Sequence, residues 1–212
     1  MFDLFAQNSS STLVLGAGSL GADVAAAGAG DDDGSDGFRL ACWSAAHTDP
    51  ARLIATGLEQ KLLLTCGPAA SGPFAERNLQ RSIAARNDEF RALTAGRNTV
   101  ILTGSLQEQT AALLLPALAV EFAQRGLYVC AVTLESSHDD EKRVPLHADL
   151  RIPVIDDGAS GEIAVGAGRR RVQRKLLAAI QEIAQLLAEN PDAAHLPAST
   201  LNTNLSASLT EV

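Results

Sequence analysis

The stretch whose residue types and spacing bear most directly on chemistry is Gly16-Ala17-Gly18-Ser19-Leu20-Gly21. It follows a short β-branched and apolar run, Thr12 to Leu15, and precedes a run of small residues, Ala22 to Ala27. A strand that empties into a glycine turn at a helix start is suited to hold a phosphate. The glycines let the backbone approach, free N–H groups point outward, and the helix dipole favours negative charge. The same Gly-x-Gly-x-x-Gly pattern also serves as a tight strand-to-helix turn that binds nothing, so the surrounding elements must decide between the two.

Those elements alternate. Short apolar runs at Phe38–Trp43, Lys61–Cys66, Thr99–Thr103, Leu127–Thr133 and Leu150–Ile155 read as five further strands. Thr99–Thr103 shows no polar alternation, as expected of a strand buried on both faces. Pro153 predicts that the last strand lies at a sheet edge. Between the strands the sequence predicts helices at Ala22–Ala27, Pro50–Gln60, Pro73–Ala95 and Thr110–Gln124, with a last one at Arg169–Glu189. Leu53, Ile54 and Leu58 are expected on one side of the second of these. Phe74, Leu79, Ile83, Phe90 and Leu93 are expected to face the core from the third. Val172, Leu176, Ile180, Ile183 and Leu187 form the apolar stripe of the last.

Six strands alternating with helices predict a three-layer, doubly wound, mostly parallel α/β sheet of Rossmann-like type. Ligands of such sheets lie at the carboxyl ends of the strands. The loops after Leu15, Trp43, Cys66, Thr103 and Thr133 therefore form the candidate face. Around this domain (11–190) the sequence predicts an N-terminal arm (1–10) and a flexible tail (191–212) rich in Ala, Ser, Thr and Asn.

Charge and composition narrow the function. With 17 basic and 25 acidic residues the net charge is -8, which disfavours non-specific nucleic-acid binding. The opening MFDLFAQN lacks a basic region and a long apolar core, so no signal peptide is expected. The longest apolar stretch, Ala111 to Val120, is about half a membrane span. A cytoplasmic protein without a membrane partner is the expectation. Cys42, Cys66 and Cys130 sit in or beside apolar runs without metal spacing and read as buried, reduced thiols. His47, His138, His147 and His195 show no ligand spacing and read as surface or loop residues rather than a metal site. The acidic run within Gly28–Gly37 reads as a solvated loop. Ser19 and Ser105 lack the strand-elbow setting of a hydrolase nucleophile, and no catalytic residue is assigned. The basic run Arg169-Arg170-Arg171 reads as a solvated helix start, or else as a patch for an acidic partner.

The order and spacing of these loops resembles the GTP-binding domain of the tubulin/FtsZ family. The glycine turn is similar to that family's first phosphate loop, with Asp23 in the position of its Asn. The segment RLACWSAAHTDPARL is loosely similar to the family's second strand and its continuation. TVILTGSLQEQTAALLLPALAVEFAQRGLYVCAVT aligns without a gap to the glycine-rich signature, the following helix and the next strand; Thr103, Thr110, Pro116 and Thr133 match. Asp140, Lys142 and Arg143 resemble the acid and base cluster of the next loop. Ala179-Ile180-Gln181 with Ile183 resembles the long central helix. The likeness covers about Thr12 to Leu187.

The resemblance implies a cofactor site for GTP or GDP, with Mg²⁺ only alongside nucleotide. It would be built from Gly16, Ala17, Gly18, Ser19, Leu20, Gly21, Asp23, Gly104, Ser105, Thr110, Asp140 and Arg143. The departures from the family pattern are as informative. Where the signature needs a run of glycines, this chain has Ser105-Leu106-Gln107-Glu108-Gln109. Glu108 would set a negative charge near a triphosphate, unless it pairs with Arg143 or coordinates Mg²⁺. Gln173 and Arg174 stand where the central helix offers an acid or amide to guanine, and Arg174 cannot accept a proton. The activating loop and second domain expected beyond the central helix are not in this sequence. Together these imply a divergent FtsZ-like chain without competent GTPase chemistry, acting through a protein partner, a filament or another copy of itself. Two alternatives stay open. One is a weak GTP or GDP binder using Gly16, Gly18, Gly21, Thr110 and Arg143. The other is a Rossmann oxidoreductase, for which Ala41 to Ser44 lacks the ribose-binding acid.

Overall fold

A computed structural model describes residues 11–31, 41–67, 72–135, 144–155 and 167–189. The described elements run β1 (Thr12–Ala17), α1 (Gly18–Asp31), β2 (Cys42–His47), α2 (Pro50–Ala55), β3 (Gln60–Leu63), α3 (Pro73–Ala85), α4 (Asn87–Thr94), β4 (Thr99–Ser105), α5 (Gln109–Gln124), β5 (Tyr128–Glu135), β6 (Leu150–Ile155) and α6 (Ala167–Glu189). The six strands form one parallel sheet in the order β3-β2-β1-β4-β5-β6. The chain winds outward from β1 to β3, then returns to β4 on the other side of β1. The switch between β1 and β4 opens a crevice at their carboxyl ends.

Helices cover both faces, as the unbroken apolar character of β1 and β4 requires. On one face Val14, Ile101, Cys130 and Val132 pack beneath α1 and α6. On the other, Leu13, Leu15, Val100, Leu102 and Val129 pack beneath α3, α4 and α5. The α6 stripe Val172, Leu176, Ile180, Ile183 and Leu187 is buried as expected, and β6 is the edge strand that Pro153 predicts. Pro116 lies inside an unbroken α5.

Several boundaries differ from expectation. β2 lies at Cys42–His47, not Phe38–Trp43. The run from Ala41 to Ala46 has no alternation, so its pattern fixes no end. The Trp43 indole lies against Gly28 of α1, where an added Cβ would come within 2.3 Å of the ring, and Val14 of β1 pairs with Trp43. α1 begins inside the glycine motif and extends to Asp31, taking in the start of the acidic run. β3 ends at Leu63, short of the expected Cys66, and α2 ends at Ala55 rather than Gln60. The helix expected over 73–95 is two, broken at Arg86 (φ -109°, ψ 25°). Phe74 and Ile54, expected inward, are exposed at 74% and 73%. In each case helical phase is the reason: Ile54 follows the buried Leu53 and is turned off its side, and Phe74 lies nearly opposite the buried Leu79 and Ile83. Cys66 and Cys130 are buried free thiols, while Cys42 is only half-buried and bonds Gln60 Oε1 at 3.2 Å. The arm, residues 32–40, the 136–143 loop and the tail lie outside the described residues.

Candidate functional site

Two turns face each other across the crevice. The first, at the end of β1, is held by close backbone packing. Gly16 sits so near Gly21 that an added Cβ would lie 1.9 Å from its carbonyl oxygen. A Cβ on Gly21 would meet the Thr103 carbonyl oxygen at 2.5 Å, and one on Gly104 would meet that of Ala17 at 2.5 Å. These three glycines let β1, α1 and β4 touch backbone to backbone. Gly18 differs: its φ of +73° is a left-handed conformation, and it opens α1. The turn therefore presents the first N–H groups of α1, which have no partner within the helix.

The second turn, Leu106–Glu108, joins β4 to α5. Its backbone N–H groups are bonded within the chain, while the buried Gln107 Oε1 has no partner among the described residues. Leu106 N–H donates to the Leu134 carbonyl at 3.0 Å, and Glu108 N–H to that of Ser105 at 3.1 Å. Ser105 Oγ accepts from Gln107 N–H at 3.2 Å. The expected loop at Gly104–Gln109 is thus shorter: Gly104 and Ser105 belong to β4, and Thr110 lies in the first turn of α5.

Glu108 stands at the N-cap of α5 but does not cap it with its side chain. The carboxylate instead crosses the crevice to α1. Oε1 accepts from Ser19 N–H at 2.6 Å and Oε2 from Leu20 N–H at 3.3 Å. Gly18 makes room: a Cβ there would lie 2.9 Å from Oε1. An anion does occupy the amide cradle of α1, and that anion is the chain's own. Charge-assisted bonds of this kind, at the positive end of a helix, are stronger than neutral ones.

His47, at the carboxyl end of β2, completes the cluster. It is 5% exposed, which corrects its reading as a surface or loop residue. The expectation failed because it placed the end of β2 four residues early. Nδ1 accepts from Asp49 N–H at 2.8 Å, so in the neutral ring Nε2 carries the proton. Nε2 lies 3.3 Å from Ser19 Oγ and 3.9 Å from Glu108 Oε1. Burial holds the His47 pKa below its usual 6.5, against the opposing pull of Glu108 and Asp49.

Ser, His and Glu in contact suggest a hydrolytic triad, but the geometry denies it. A base must offer a bare nitrogen to the serine and turn its other N–H toward the acid. Here the nitrogen facing Ser19 is protonated, the far one accepts from the backbone, and the acid lies on the serine side. The arrangement is not that of a serine activated by a histidine base.

On the outer side of α1, Asp23 meets α6. Asp23 Oδ2 accepts from Arg169 Nε at 3.0 Å and Nη2 at 2.6 Å, and Gln173 Nε2 donates to the Asp23 carbonyl at 3.0 Å. Arg169 is thus an inter-helix partner and not part of a solvated end. Beside this contact lies a cleft of about 320 Å³ between α1, α2 and α6, whose lining includes Ser19, Ala22, Asp23, Arg52, Thr56 and Gln173.

The structure therefore brings together Gly16, Ala17, Gly18, Ser19, Leu20, Gly21, Gly104 and Ser105, with Thr110 in the first turn of α5 and Asp23 turned toward α6. Asp140, Lys142 and Arg143 lie outside the described residues, so the suggested Glu108–Arg143 pairing does too. Among the described residues no cluster of metal-ligating side chains occurs, and no helix is long and apolar enough to cross a membrane.

A parallel sheet in this order, with a glycine turn at the switch and a long helix packed over α1 and β5, is the fold of the GTPase domain of the tubulin/FtsZ proteins. Solved structures of three such proteins carry the comparison. CetZ from Methanosaeta thermophila superposes with a TM-score of 0.63 at 12% identity, over 86% of this chain and 56% of that one. An empty FtsZ dimer from M. jannaschii gives 0.62 at 16%, over 85% and 56%. CetZ2 from Haloferax volcanii, in a GTPγS-bound protofilament, gives 0.61 at 17%, over 82% and 57%. The chain thus spans little more than half the length of these proteins, and at these identities the likeness is one of fold. No family model and no curated protein matches the sequence.

Proposed function

We propose that this chain is a divergent FtsZ/tubulin-like protein that does not hydrolyse GTP and works by binding a protein partner or by assembling with filaments of the cytoskeletal or cell-division kind. The observation that supports this most is the Glu108 carboxylate on the Ser19 and Leu20 amides. A triphosphate does not fit on those amides while Glu108 holds them. Two unit charges about 4 Å apart repel by about 1–4 kcal/mol between bulk water and a partly wet site. The fold's neighbours include a GTPγS-bound protofilament, which supports assembly as the business of such a surface.

A second reading has its own observation. The α1 amides still converge on an anion, so the cradle itself keeps a phosphate-binding shape, and its present occupant is tethered through the three-residue Leu106–Glu108 turn. On this reading Glu108 swings out and GTP or GDP binds weakly. The oxidoreductase alternative gains little. With β2 ending at His47, its ribose acid would fall near Asp49, whose carboxylate instead accepts the Ala51 N–H at 2.9 Å as the cap of α2.

Titration of GTP and GDP into the full chain and into Glu108→Ala, with turnover assayed in parallel, separates the readings. The proposal expects no turnover from either and nucleotide binding only in the variant. Millimolar binding to the unaltered chain favours the second reading, and GTP hydrolysis by the unaltered chain overturns the first.

A further inference from the structure

We propose that the outer side of α3, beside the β3 edge of the sheet, docks an acidic, extended protein segment that carries an apolar residue. Three independent features point there. Phe74, Arg77, Asn78 and Arg81 recur at helical spacing on the side of α3 opposite the buried Ala75, Leu79 and Ile83. Phe74 is a large aromatic left 74% exposed, with the Arg77 guanidinium 5.4 Å above its ring. That pairing offers both an apolar platform and a cation.

Charge supplies the second feature. In a chain of net charge -8, neither Arg77 nor Arg81 has an ion pair with any described residue. By contrast Arg86, the C-cap of α3, is held by Glu89 at 2.6 Å. Two cations that no described residue pairs, beside an exposed aromatic, select for carboxylates and against a basic partner.

Shape is the third. A depression of about 630 Å³ runs alongside, with Thr65, Asn78, Arg81, Ser82, Arg86 and Glu89 among its lining residues; Glu89 is neutralised by Arg86, which leaves Arg81 as the cation facing it. Its Thr65 and Gly67 wall follows the end of β3, the strand that has a neighbour only on its β2 side. Edge strands are the usual template for an added extended chain. The Thr65 N–H is already taken by Ser82 Oγ at 3.0 Å, so the segment seats above the strand end, along α3. None of these features touches the Glu108 cradle, so this surface stands or falls apart from the reading of that site.

The test uses the full chain and a fluorescein-labelled peptide of alternating Glu and Leu, with an alternating Lys and Leu peptide and a single-stranded DNA as rivals. Anisotropy should show salt-sensitive binding of the acidic peptide. Arg77→Glu with Arg81→Glu should weaken it by roughly tenfold or more, and Phe74→Ser should weaken it less. Arg91→Glu, an exposed cation on α4, should leave it unchanged. All these side chains are exposed, so thermal melts should match the parent. The proposal is overturned if the acidic peptide does not bind, if the Arg77/Arg81 reversal leaves it bound, if Arg91→Glu weakens it equally, or if the Lys peptide or DNA binds better. Self-association that the same reversal abolishes would overturn it in favour of a second copy as occupant.

Discussion

The two turns that face each other at the β1/β4 switch have been treated oppositely. The β1–α1 turn is fixed by backbone against backbone: Gly16, Gly21 and Gly104 have no room for a single methyl. The β4–α5 turn is made of side chains. Ser105, Gln107 and Glu108 stand where a phosphate-wrapping loop needs bare amides, and Glu108 reaches into the opposite turn. The glycines of the first turn are required by backbone packing whatever the facing turn holds. The glycine motif therefore attests the fold more strongly than it attests a ligand.

The largest effect should come from the rigid turn. Gly16→Ala would force the Gly21 carbonyl away and is expected to cost about 3 kcal/mol or more in urea unfolding, or to prevent folding. Mild destabilisation would break the contrast, because it would mean that this turn tolerates side chains as well.

The facing turn should respond less, and in a way that ligands can repair. Glu108→Ala leaves the Ser19 and Leu20 N–H groups without their carboxylate and should cost about 1–3 kcal/mol. Added inorganic phosphate should return part of that stability in the variant and none in the parent, through mass action on the folded state. Thermal melts with and without phosphate check this.

His47 sharpens the comparison through pH. Its folded pKa lies below 6.5, so above 6.5 the ring is neutral in both folded and unfolded chains. As pH falls through 6.5 the unfolded chain takes up the proton first, and stability drops until the lower folded pKa is passed. Within that window the loss cannot exceed about 1.4 kcal/mol per pH unit for one group. Denaturant midpoints should fall on acidification in the parent, and His47→Gln should flatten that dependence.

The smallest effect belongs to the tie outside the crevice. Asp23 is 43% exposed at its side chain, so Arg169→Ala should cost no more than about 1 kcal/mol. Hydrogen exchange should then rise at the first turns of α6 and leave the Ser19 and Leu20 amides as protected as before.

Much of the fold was legible because its signals are local. The α6 stripe, the unbroken apolar β4, the edge position of Pro153 and the glycine turn each announce themselves within a few residues. The site was less so. The Ser19–Glu108 bond joins residues 89 apart, and no period links them. Glu108 could be flagged as an unwelcome charge, but its role as the occupant of the cradle depends on the direction of one side chain. His47 was hidden by register: a run of small apolar residues does not say where β2 stops, and a four-residue slip removes the histidine from the face of the site. Phe74 shows the reverse error, since apolar character alone placed it inside and helical phase puts it out.

The Ser19 and Leu20 amides are already bonded to Glu108, and amide ¹H–¹⁵N spectra of the full chain report on that bond. The Ser19 proton should resonate far downfield, move upfield in Glu108→Gln, and stay in place when millimolar GTP is added to the parent. A Ser19 amide that ignores the Gln substitution but shifts with GTP would contradict it.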